Sequence, residues 1–269
     1  MSLSIDPAPR QRPGPSRANF AWELPRLFFE VGRLGLSWPL LLQQAARGDG
    51  HPVMVLPGFL GGDDSTLILR RFLTQLGYVS LPWLHGRNTG NPAQLDGAIL
   101  RFYRAHHASG EKISLIGQSL GGIYAREIAR KFPDAVRSVI TLGSPFAARD
   151  DAHTANPLVT RLFESLSGHT AEEMRRRMGN RHDPRAPLGI PSTSVYSRSD
   201  GVAYWKACVD RESELSENVE VRASHTGMAM NPDVLYVIAD RLAQDAQAWQ
   251  PFDRTRGCRP WAYPEPFSA

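Results

Sequence analysis

Residues 113–124 read Ile-Ser-Leu-Ile-Gly-Gln-Ser-Leu-Gly-Gly-Ile-Tyr, and this stretch decides the fold. The apolar run Ile113–Ile116 predicts a buried strand, and residues 123–131 are compatible with a helix. Between them lies the pattern G-x-S-x-G, in the strand–turn–helix context that this motif requires. Such a turn strains the backbone of Ser119 and holds its hydroxyl above the sheet edge, with glycines where a Cβ would collide. An ordinary turn with an incidental serine is the alternative.

Short apolar segments alternate with amphipathic segments on both sides of this turn. The predicted strands cover residues 53–56, 78–84, 113–117, 136–142, 192–196 and 219–221. The predicted helices cover residues 63–76, 92–107, 121–131, 157–166 and 232–249. Apolar strands that lack polar alternation and are separated by helices are typical of a parallel sheet covered on both faces. The sequence therefore predicts an α/β fold.

The composition fits one globular domain. The chain has 269 residues, of which 42% are hydrophobic, and a formal net charge of +4. Residues 1–18 are rich in proline and predict a disordered tail, which leaves residues 19–269 as the folded domain. The longest cationic run, at 175–177, lies near no nucleic-acid motif, so no nucleic-acid partner is expected. Cys208 and Cys258 form no metal-ligand cluster and are expected to be free thiols, with a disulfide as the alternative.

The chain shows no sign of export or membrane insertion. Its first 17 residues lack the apolar core of a secretory signal. No apolar run approaches the roughly 18 residues of a spanning helix. The sequence therefore favours a cytoplasmic protein.

Residues 19–46 are unusually apolar and predict one or two amphipathic helices, broken near Pro25 and Pro39. A wide apolar stripe usually faces a protein core, so a helix packed on the main body is favoured. Peripheral membrane contact or self-association through residues 19–46 is the alternative.

The segment 146–191 interrupts the alternation of strands and helices and is too long for a simple loop. It contains a predicted helix at 157–166, and Thr170 with Glu173 resembles a capping box that opens a second helix. Because the segment follows a strand at the catalytic side of the sheet, it is interpreted as a lid rather than a structural excursion. Its apolar side chains are candidate substrate-binding residues: Leu158, Leu162 and Phe163.

A serine needs a base and an orienting carboxylate to become a nucleophile near neutral pH. With this motif the acid and then the histidine follow the serine along the chain, each after a later strand. Asp200 follows the strand 192–196, and His225 follows the strand 219–221. Every other histidine precedes Ser119 or Asp200 in the chain, which breaks the required order. Asp183 lies in the insertion, Asp210 lies too far beyond the strand, and Asp233 follows His225. The predicted catalytic residues are therefore Ser119, Asp200 and His225.

Two backbone amides are predicted to form an oxyanion hole. One is that of Leu120, which directly follows the nucleophile and begins a helix. The other is that of Phe59, in the glycine-rich loop after the first strand, where Gly58 lets the backbone approach the substrate. The segment His85–Gly90 lies at the same sheet edge. It either lines an acyl pocket, with His85 as a substrate-binding residue, or supports the oxyanion loop, unless it is a plain polar turn.

Four short motifs together resemble the α/β-hydrolase superfamily, and more narrowly its bacterial lipases and esterases. They are Leu-Pro-Gly-Phe at 56–59, Gly-Gln-Ser-Leu-Gly at 117–121, Ser-Asp-Gly-Val at 199–202 and Ser-His-Thr-Gly at 224–227. The resemblance covers roughly residues 50–247. Pro57 stands where many lipases have histidine, which departs from their pattern.

The resemblance implies an α/β-hydrolase fold with a helical cap. It also implies hydrolysis of carboxylic esters with apolar acyl groups, including lipid or polyester substrates, through an acyl-enzyme on Ser119. Neither a cofactor nor a metal is expected. An acyltransferase or thioesterase with the same triad remains an alternative, as does a non-catalytic binding protein with this fold.

Overall fold

The centre of the described structure is one sheet of six parallel strands. The computed structural model describes residues 14–147, 154–170, 172–174, 176, 183, 185–245, 248–255 and 262–267. The strands are β1 (Pro52–Leu56), β2 (Val79–Leu81), β3 (Ile113–Gln118), β4 (Val136–Leu142), β5 (Ser192–Tyr196) and β6 (Ser216–Glu220). They are ordered β2-β1-β3-β4-β5-β6, and every neighbouring pair is parallel. The predicted α/β fold with a central parallel sheet is confirmed.

Helices cover both faces of this sheet. They are α1 (Arg17–Ala21), α2 (Glu23–Gln44), α3 (Leu67–Leu76), α4 (Pro92–Ser109), α5 (Leu120–Lys131), α6 (Pro157–Ser167) and α7 (Pro232–Leu242). Short 3₁₀ turns span Trp205–Cys208 and Met228–Met230. Three helices begin with Asn-Pro: Asn91, Asn156 and Asn231 each accept a hydrogen bond from a first-turn amide. This is the favoured N-cap chemistry, followed by a proline that needs no amide partner.

The alternation of side chains along β1 shows how the sheet separates two hydrophobic cores. Val53 and Val55 belong to the cluster formed with α2, α3 and α7. Met54 and Leu56 belong to the cluster formed with α4 and α5. All four side chains are buried. Because both faces of the strand are covered, its sequence shows no polar alternation.

Some predicted boundaries differ from those observed, for reasons in the tertiary structure. Helix α3 begins at Leu67 rather than at Asp63, because the Asp63 carboxylate accepts the amides of Trp83 and Leu84 at 2.8 and 2.9 Å. The same bonds fix residues 83–84 in a loop after the short strand β2. Helix α7 ends at Leu242, seven residues before the predicted end.

Strand β6 begins at Ser216, earlier than predicted. The prediction missed this start because the first residues of the strand are polar. Glu217 and Glu220 are buried in this strand. Glu217 accepts hydrogen bonds from Thr193 and Arg241, at 2.8 and 3.0 Å. An apolar pattern cannot reveal a strand whose buried side chains are paired ions.

The N-terminal region corrects two predictions. Helix α1 begins at Arg17, within the segment expected to be disordered. Helix α2 continues through Pro39 without the predicted break, and Pro25 lies in its first turn, where no amide partner is needed. The predicted packing on the main body is confirmed for Leu34 and Leu41, which are buried, and for Trp38 and Leu42, which pack against the core. It is wrong for the apolar residues that face outward: Trp22, Leu24, Phe28, Phe29, Leu36 and Leu40.

Part of the segment 146–191 lies outside the described residues, including Met178. Helix α6 spans nearly the predicted range. The expected capping box also forms, with Thr170 N–H donating to Glu173 Oε2 at 2.7 Å and Glu173 N–H donating to Thr170 Oγ1 at 3.0 Å. The role of this segment as a lid stays a prediction.

Candidate active site

Ser119 occupies a strained turn between β3 and α5. Its backbone angles are φ 51° and ψ −120°, in a region that L-residues rarely adopt. A Cβ on Gly117 would lie 2.3 Å from the carbonyl oxygen of Gly121. A Cβ on Gly121 would lie equally close, at 2.3 Å, to the carbonyl oxygen of Leu56. The glycines two positions on either side of the serine are therefore required by close backbone packing.

Asp200 and His225 meet at the carboxyl ends of the neighbouring strands. Oδ2 of Asp200 lies 2.7 Å from Nδ1 of His225, and both side chains are buried. The second carboxylate oxygen, Oδ1, accepts the amides of Val202 and Ala203 at 2.8 and 2.7 Å. These bonds fix the carboxylate orientation, so Asp200 is placed to hold the imidazole with its Nε2 nitrogen directed away from the carboxylate.

Several contacts bring this pair to the edge where Ser119 lies. The side-chain amide of Gln118, which precedes the serine, donates to the backbone oxygen of His225 at 2.9 Å. A Cβ on Gly143 would lie 3.1 Å from both Asp200 Oδ2 and His225 Nδ1, and Gly143 directly follows the residue that pairs with Ser119 N–H. The three predicted catalytic residues therefore share one end of the sheet.

The surroundings of His225 raise its pKa above the ordinary value. Burial by itself lowers the pKa, because it disfavours the charged imidazolium. The charge and hydrogen bond of Asp200 and the charge of Glu23 act in the opposite direction and outweigh burial. A base with a raised pKa accepts a proton more readily, as a serine nucleophile requires.

The competing aspartates have other partners. Asp210 forms a buried ion pair with Arg126 of α5, with 2.5 Å between Oδ2 and Nη1. Asp233 pairs with Arg33 of α2 at 2.8 Å. Asp183 accepts a hydrogen bond from the amide of Arg185 at 3.0 Å. These contacts account for the three acids that the sequence analysis rejected in favour of Asp200.

The glycine-rich loop after β1 passes directly against the serine turn. A Cβ on Gly58 would lie 3.2 Å from the Cβ of Ser119. Within the described residues, no hydrogen-bond acceptor is found for the amides of Phe59 and Leu120. Two amides without a partner, on either side of this close approach, are the donor type that an oxyanion needs.

Asn88 fastens the segment His85–Gly90 to this loop and was missed by sequence reasoning. Its fully buried side chain donates to the carbonyl oxygen of Pro57 at 2.9 Å, and its backbone oxygen accepts the amide of Leu60 at 2.7 Å. These bonds favour the interpretation that the segment supports the predicted oxyanion loop. The ring of His85 instead packs edge-on against Trp83, with 5.1 Å between centroids, so its role in substrate binding stays a prediction.

Helix α6 contacts the same loop through Phe163. The rings of Phe163 and Phe59 lie edge to face, with centroids 5.4 Å apart. Leu158 and Leu162 are exposed, whereas Phe163 is partly buried against the core. The role of these three residues in substrate binding stays a prediction.

Two buried carboxylates beside His225 were also missed. Glu23 and Glu30 of α2 accept hydrogen bonds from the loops that carry Asp200 and His225. The apolar pattern of the N-terminal segment concealed them, because these carboxylates share the buried face of the helix with Leu34 and Leu41. The only sequence signal was their seven-residue spacing, which places both on one face.

Within the described ranges, no group of three or more His, Cys, Asp or Glu side chains could hold a metal ion. Cys208 is a buried free thiol, whereas Cys258 lies outside the described residues. No helix in the described part of the chain is long and apolar enough to cross a membrane.

Comparison with known proteins agrees with this architecture. A sequence profile of the alpha/beta hydrolase fold matches residues 90–253, more than half of the chain. The protein therefore belongs to the α/β-hydrolase fold family. No curated protein matches the sequence at a significant level.

Solved structures with a similar fold include lipases and esterases. Lipase B from Aspergillus fumigatus superposes with a TM-score of 0.56 at 16% identity, covering 79% of this chain and 57% of that one. A thermostable esterase from Pseudomonas putida gives a TM-score of 0.53 at 16% identity, with 78% and 77% covered. A monoacylglycerol lipase from Paleococcus ferrophilus gives 0.51 at 13% identity, with 73% and 96% covered. The chain thus spans just over half of the Aspergillus lipase, and at these identities the similarity shows the fold alone.

Proposed function

We propose that this protein is a serine carboxylic-ester hydrolase of the esterase or lipase type. The observation that carries the proposal is the 2.7 Å contact between Asp200 Oδ2 and His225 Nδ1, at the sheet edge where Ser119 occupies its strained turn. An imidazole held by a carboxylate makes a serine hydroxyl nucleophilic when the serine lies within its reach, and both features occur at this sheet edge.

In the proposed reaction, Ser119 Oγ attacks the ester carbonyl carbon while His225 removes the hydroxyl proton. The amides of Phe59 and Leu120 stabilise the oxyanion of the tetrahedral intermediate. The imidazolium then protonates the departing alcohol, which leaves an acyl-enzyme. Water, deprotonated by His225, attacks the acyl carbon and releases the carboxylic acid and the free serine.

The contacts of helix α6 favour a substrate with an apolar acyl group. Phe163 and Phe59 form an aromatic contact beside the proposed oxyanion donor. An acyl chain entering beside Phe59 would therefore meet apolar side chains rather than charged ones. The structurally similar proteins include a lipase and an esterase, which agrees with this substrate class. The proposal does not rest on that similarity.

The test uses a fluorophosphonate probe and p-nitrophenyl esters of increasing acyl length. The probe is expected to label Ser119, and Ser119→Ala should abolish both labelling and ester turnover. Ser109→Ala is the matched control, because Ser109 lies exposed at the end of α4, away from this site. Undiminished turnover in Ser119→Ala would refute the proposal, and transfer of the acyl group to added alcohols in preference to water would identify an acyltransferase instead.

A further inference from the structure

Helix α2 carries two carboxylates that the proposed reaction does not use. Glu23 and Glu30 are only 5% and 3% exposed, although glutamate is rarely buried without a partner. They are seven residues apart and therefore lie on the same helix face. Both contact the loops that follow β5 and β6, more than 170 residues away in sequence.

Glu23 bridges the turn that carries Asp200 and the loop that carries His225. Its Oε1 atom accepts the amide of Gly201 at 2.9 Å and the amide of His225 at 3.2 Å. Its Oε2 atom accepts the amide of Thr226, also at 3.2 Å. One carboxylate therefore ties the residue after Asp200 to His225 itself.

Glu30 holds the other side of the histidine loop. Its Oε1 atom accepts the amide of Ser224 at 2.7 Å, and its Oε2 atom accepts the Ser224 hydroxyl at 2.5 Å. Asn231, which caps α7, donates to Oε1 at 3.2 Å. The residue immediately before His225 is thus fixed through both its backbone and its side chain.

Two glycines make this close approach possible. A Cβ on Gly201 would lie 2.3 Å from the backbone nitrogen of Phe20, and a Cβ on Gly227 would lie 1.7 Å from Glu30 Oε2. Arg26 adds further contacts, since it donates to the backbone oxygen of Ser199 and to Glu23 Oε1. The catalytic loops and the helix are therefore fitted to each other at several independent points.

We propose that Glu23 and Glu30 are positioning residues, which hold the Asp200 turn and the His225 loop in their working geometry. This inference rests on the proposed function. Neither carboxylate is placed to touch substrate, so their contribution should appear in kcat rather than in KM. The two loops also contact each other directly, since the Ser199 hydroxyl donates to the backbone oxygen of Ala223 at 3.2 Å and the amide of Ala223 donates to Ser197 Oγ at 3.3 Å. Helix α2 adds a support that both loops share.

Glu23 also acts on His225 electrostatically. The charged groups that face the imidazole are Asp200, which contacts Nδ1, and Glu23, which is itself paired with Arg26. The charge of Glu23 favours the imidazolium and so contributes to the raised pKa of His225. Removing that charge with Glu23→Gln should therefore lower the His225 pKa, whereas a purely structural carboxylate would leave it unchanged.

The test measures the His225 pKa and the steady-state constants of Glu23→Gln and Glu23→Ala. Titration of the His225 ring by NMR, assigned through its loss in His225→Gln, needs no substrate. We expect a lower pKa in both variants, and a fall in kcat of up to about 100-fold in Glu23→Ala with little change in KM. Glu127→Gln, which changes a half-buried carboxylate on α5, is the matched control and should change neither quantity.

An unchanged His225 pKa in a folded Glu23→Gln protein would overturn the positioning role of Glu23. The same holds if both variants retain full kcat. Because the NMR titration does not depend on ester turnover, it distinguishes this failure from failure of the proposed function, which Ser119→Ala tests separately.

The outward face of α2 supports a second, independent proposal. Phe28, Phe29 and Leu36 are 73%, 67% and 89% exposed. Leu24 and Leu40 extend this face along the 22-residue helix, and Trp22 adds to it at the N-cap. Glu23 and Glu30 lie on the buried face, whereas Arg26 and Arg33 border the apolar side chains. A contiguous exposed apolar surface of this kind usually marks an interaction site.

The charges around this face favour a lipid surface as its occupant. Both acidic residues of α2 are buried, so no carboxylate of the helix opposes an anionic surface. Arg17 and Arg47 are exposed beyond its two ends, and the whole chain has a formal net charge of +4. Aromatic and leucine side chains bordered by arginine are typical of helices that lie in the plane of a membrane interface.

We infer that the outer face of α2 docks onto an anionic lipid surface. The test is flotation with vesicles of phosphatidylcholine and phosphatidylglycerol in equal parts, compared with phosphatidylcholine alone. The intact protein should float with the anionic vesicles, and the double variant Phe28→Ser, Phe29→Ser should weaken binding by about 100-fold or more, because two aromatic side chains would no longer be buried in the lipid interface. Leu100→Ser with Tyr103→Ser, two exposed residues of α4, is the matched control.

Two outcomes would overturn this inference. One is an absence of vesicle binding by the intact protein. The other is a dimer in solution that the double variant of α2 abolishes, because the face would then be covered by a second copy of the chain.

Discussion

Glu23 Oε1 accepts the backbone amide of His225 at 3.2 Å, across 202 residues of sequence. This single contact joins the N-terminal helix to the loop that carries the proposed catalytic base. Asp200 holds the same residue through its ring nitrogen, with 2.7 Å between Oδ2 and Nδ1. The histidine is therefore fixed through its backbone by one acid and through its side chain by another.

Asp200→Asn should nearly abolish ester turnover without unfolding the protein. The carboxylate holds Nδ1 of His225, and an amide in its place favours the wrong imidazole tautomer. We expect kcat to fall roughly 1,000- to 10,000-fold. Steady-state kinetics check this, and Asp96→Asn, an exposed residue of α4, should retain full activity. A fall of less than tenfold would contradict the proposed role of Asp200.

Replacement of Asp210 should lower stability rather than activity. Its carboxylate pairs with Arg126 in the interior, so Asp210→Asn should lower the free energy of unfolding by about 3 kcal/mol. Urea unfolding followed by circular dichroism measures this loss. The folded fraction should keep nearly full kcat, because Asp210 does not contact His225. A large loss of kcat with unchanged stability would mean that the wrong aspartate has been chosen as the triad acid.

As the pH is lowered, activity should begin to fall at a pH above the ordinary histidine pKa of about 6.5. His225 acts as a base only when neutral, and its folded-state pKa is raised by Asp200 and Glu23 despite burial. The same raised pKa stabilises the fold fully below the unfolded-state pKa, and this contribution is lost as pH rises through the folded-state pKa. The profile of kcat/KM against pH tests the first point, and an acid limb below the ordinary value would contradict it.

Gly121→Ala should disrupt the serine turn. The new Cβ would lie 2.3 Å from the backbone oxygen of Leu56, which cannot move without displacing β1. We expect a loss of about 3 kcal/mol in unfolding free energy, together with loss of activity. Gly35→Ala is the matched control, because nothing lies within 4 Å of its Cβ position on the exposed side of α2. That variant should gain up to about 1 kcal/mol from helix propensity.

Asn88→Ala should reduce kcat by misplacing the proposed oxyanion loop. The variant loses the 2.9 Å bond to the carbonyl oxygen of Pro57, two residues before the Phe59 amide. We expect a roughly 10- to 100-fold fall in kcat. Asn91→Ala removes the N-cap of α4 instead and should lower stability by about 1 kcal/mol with kcat retained. Equal effects of the two variants on kcat would argue against a specific role for Asn88.

Local sequence patterns predicted an element correctly wherever its buried side chains are apolar. Strands β4 and β5 were predicted with their observed bounds, because each is a run buried on both faces. The alternation with helices gave the parallel sheet, and the order of motifs along the chain gave three candidate residues that lie at one sheet edge. Strand β6 was displaced in the prediction because its buried glutamates resemble surface residues until their partners are known.

The orientation of α2 could not be predicted by the same means. Its apolar stripe indicated a core-facing helix, yet the buried face carries Glu23 and Glu30 beside Leu34 and Leu41. Trp22, Phe28 and Phe29 point outward. A hydrophobic pattern assumes that the interior offers only apolar contacts. Here the interior offers the backbone amides of two loops, and those amides select carboxylates.

The sequence by itself determined the strand–turn–helix around Ser119, because the glycines and the apolar strand act over a few residues. Only the tertiary structure showed that Asp200 contacts His225, and which helix holds both of their loops. Those choices depend on hydrogen bonds between segments 20 to 200 residues apart. Such contacts form when folding brings buried donors and acceptors together, and no local pattern records them.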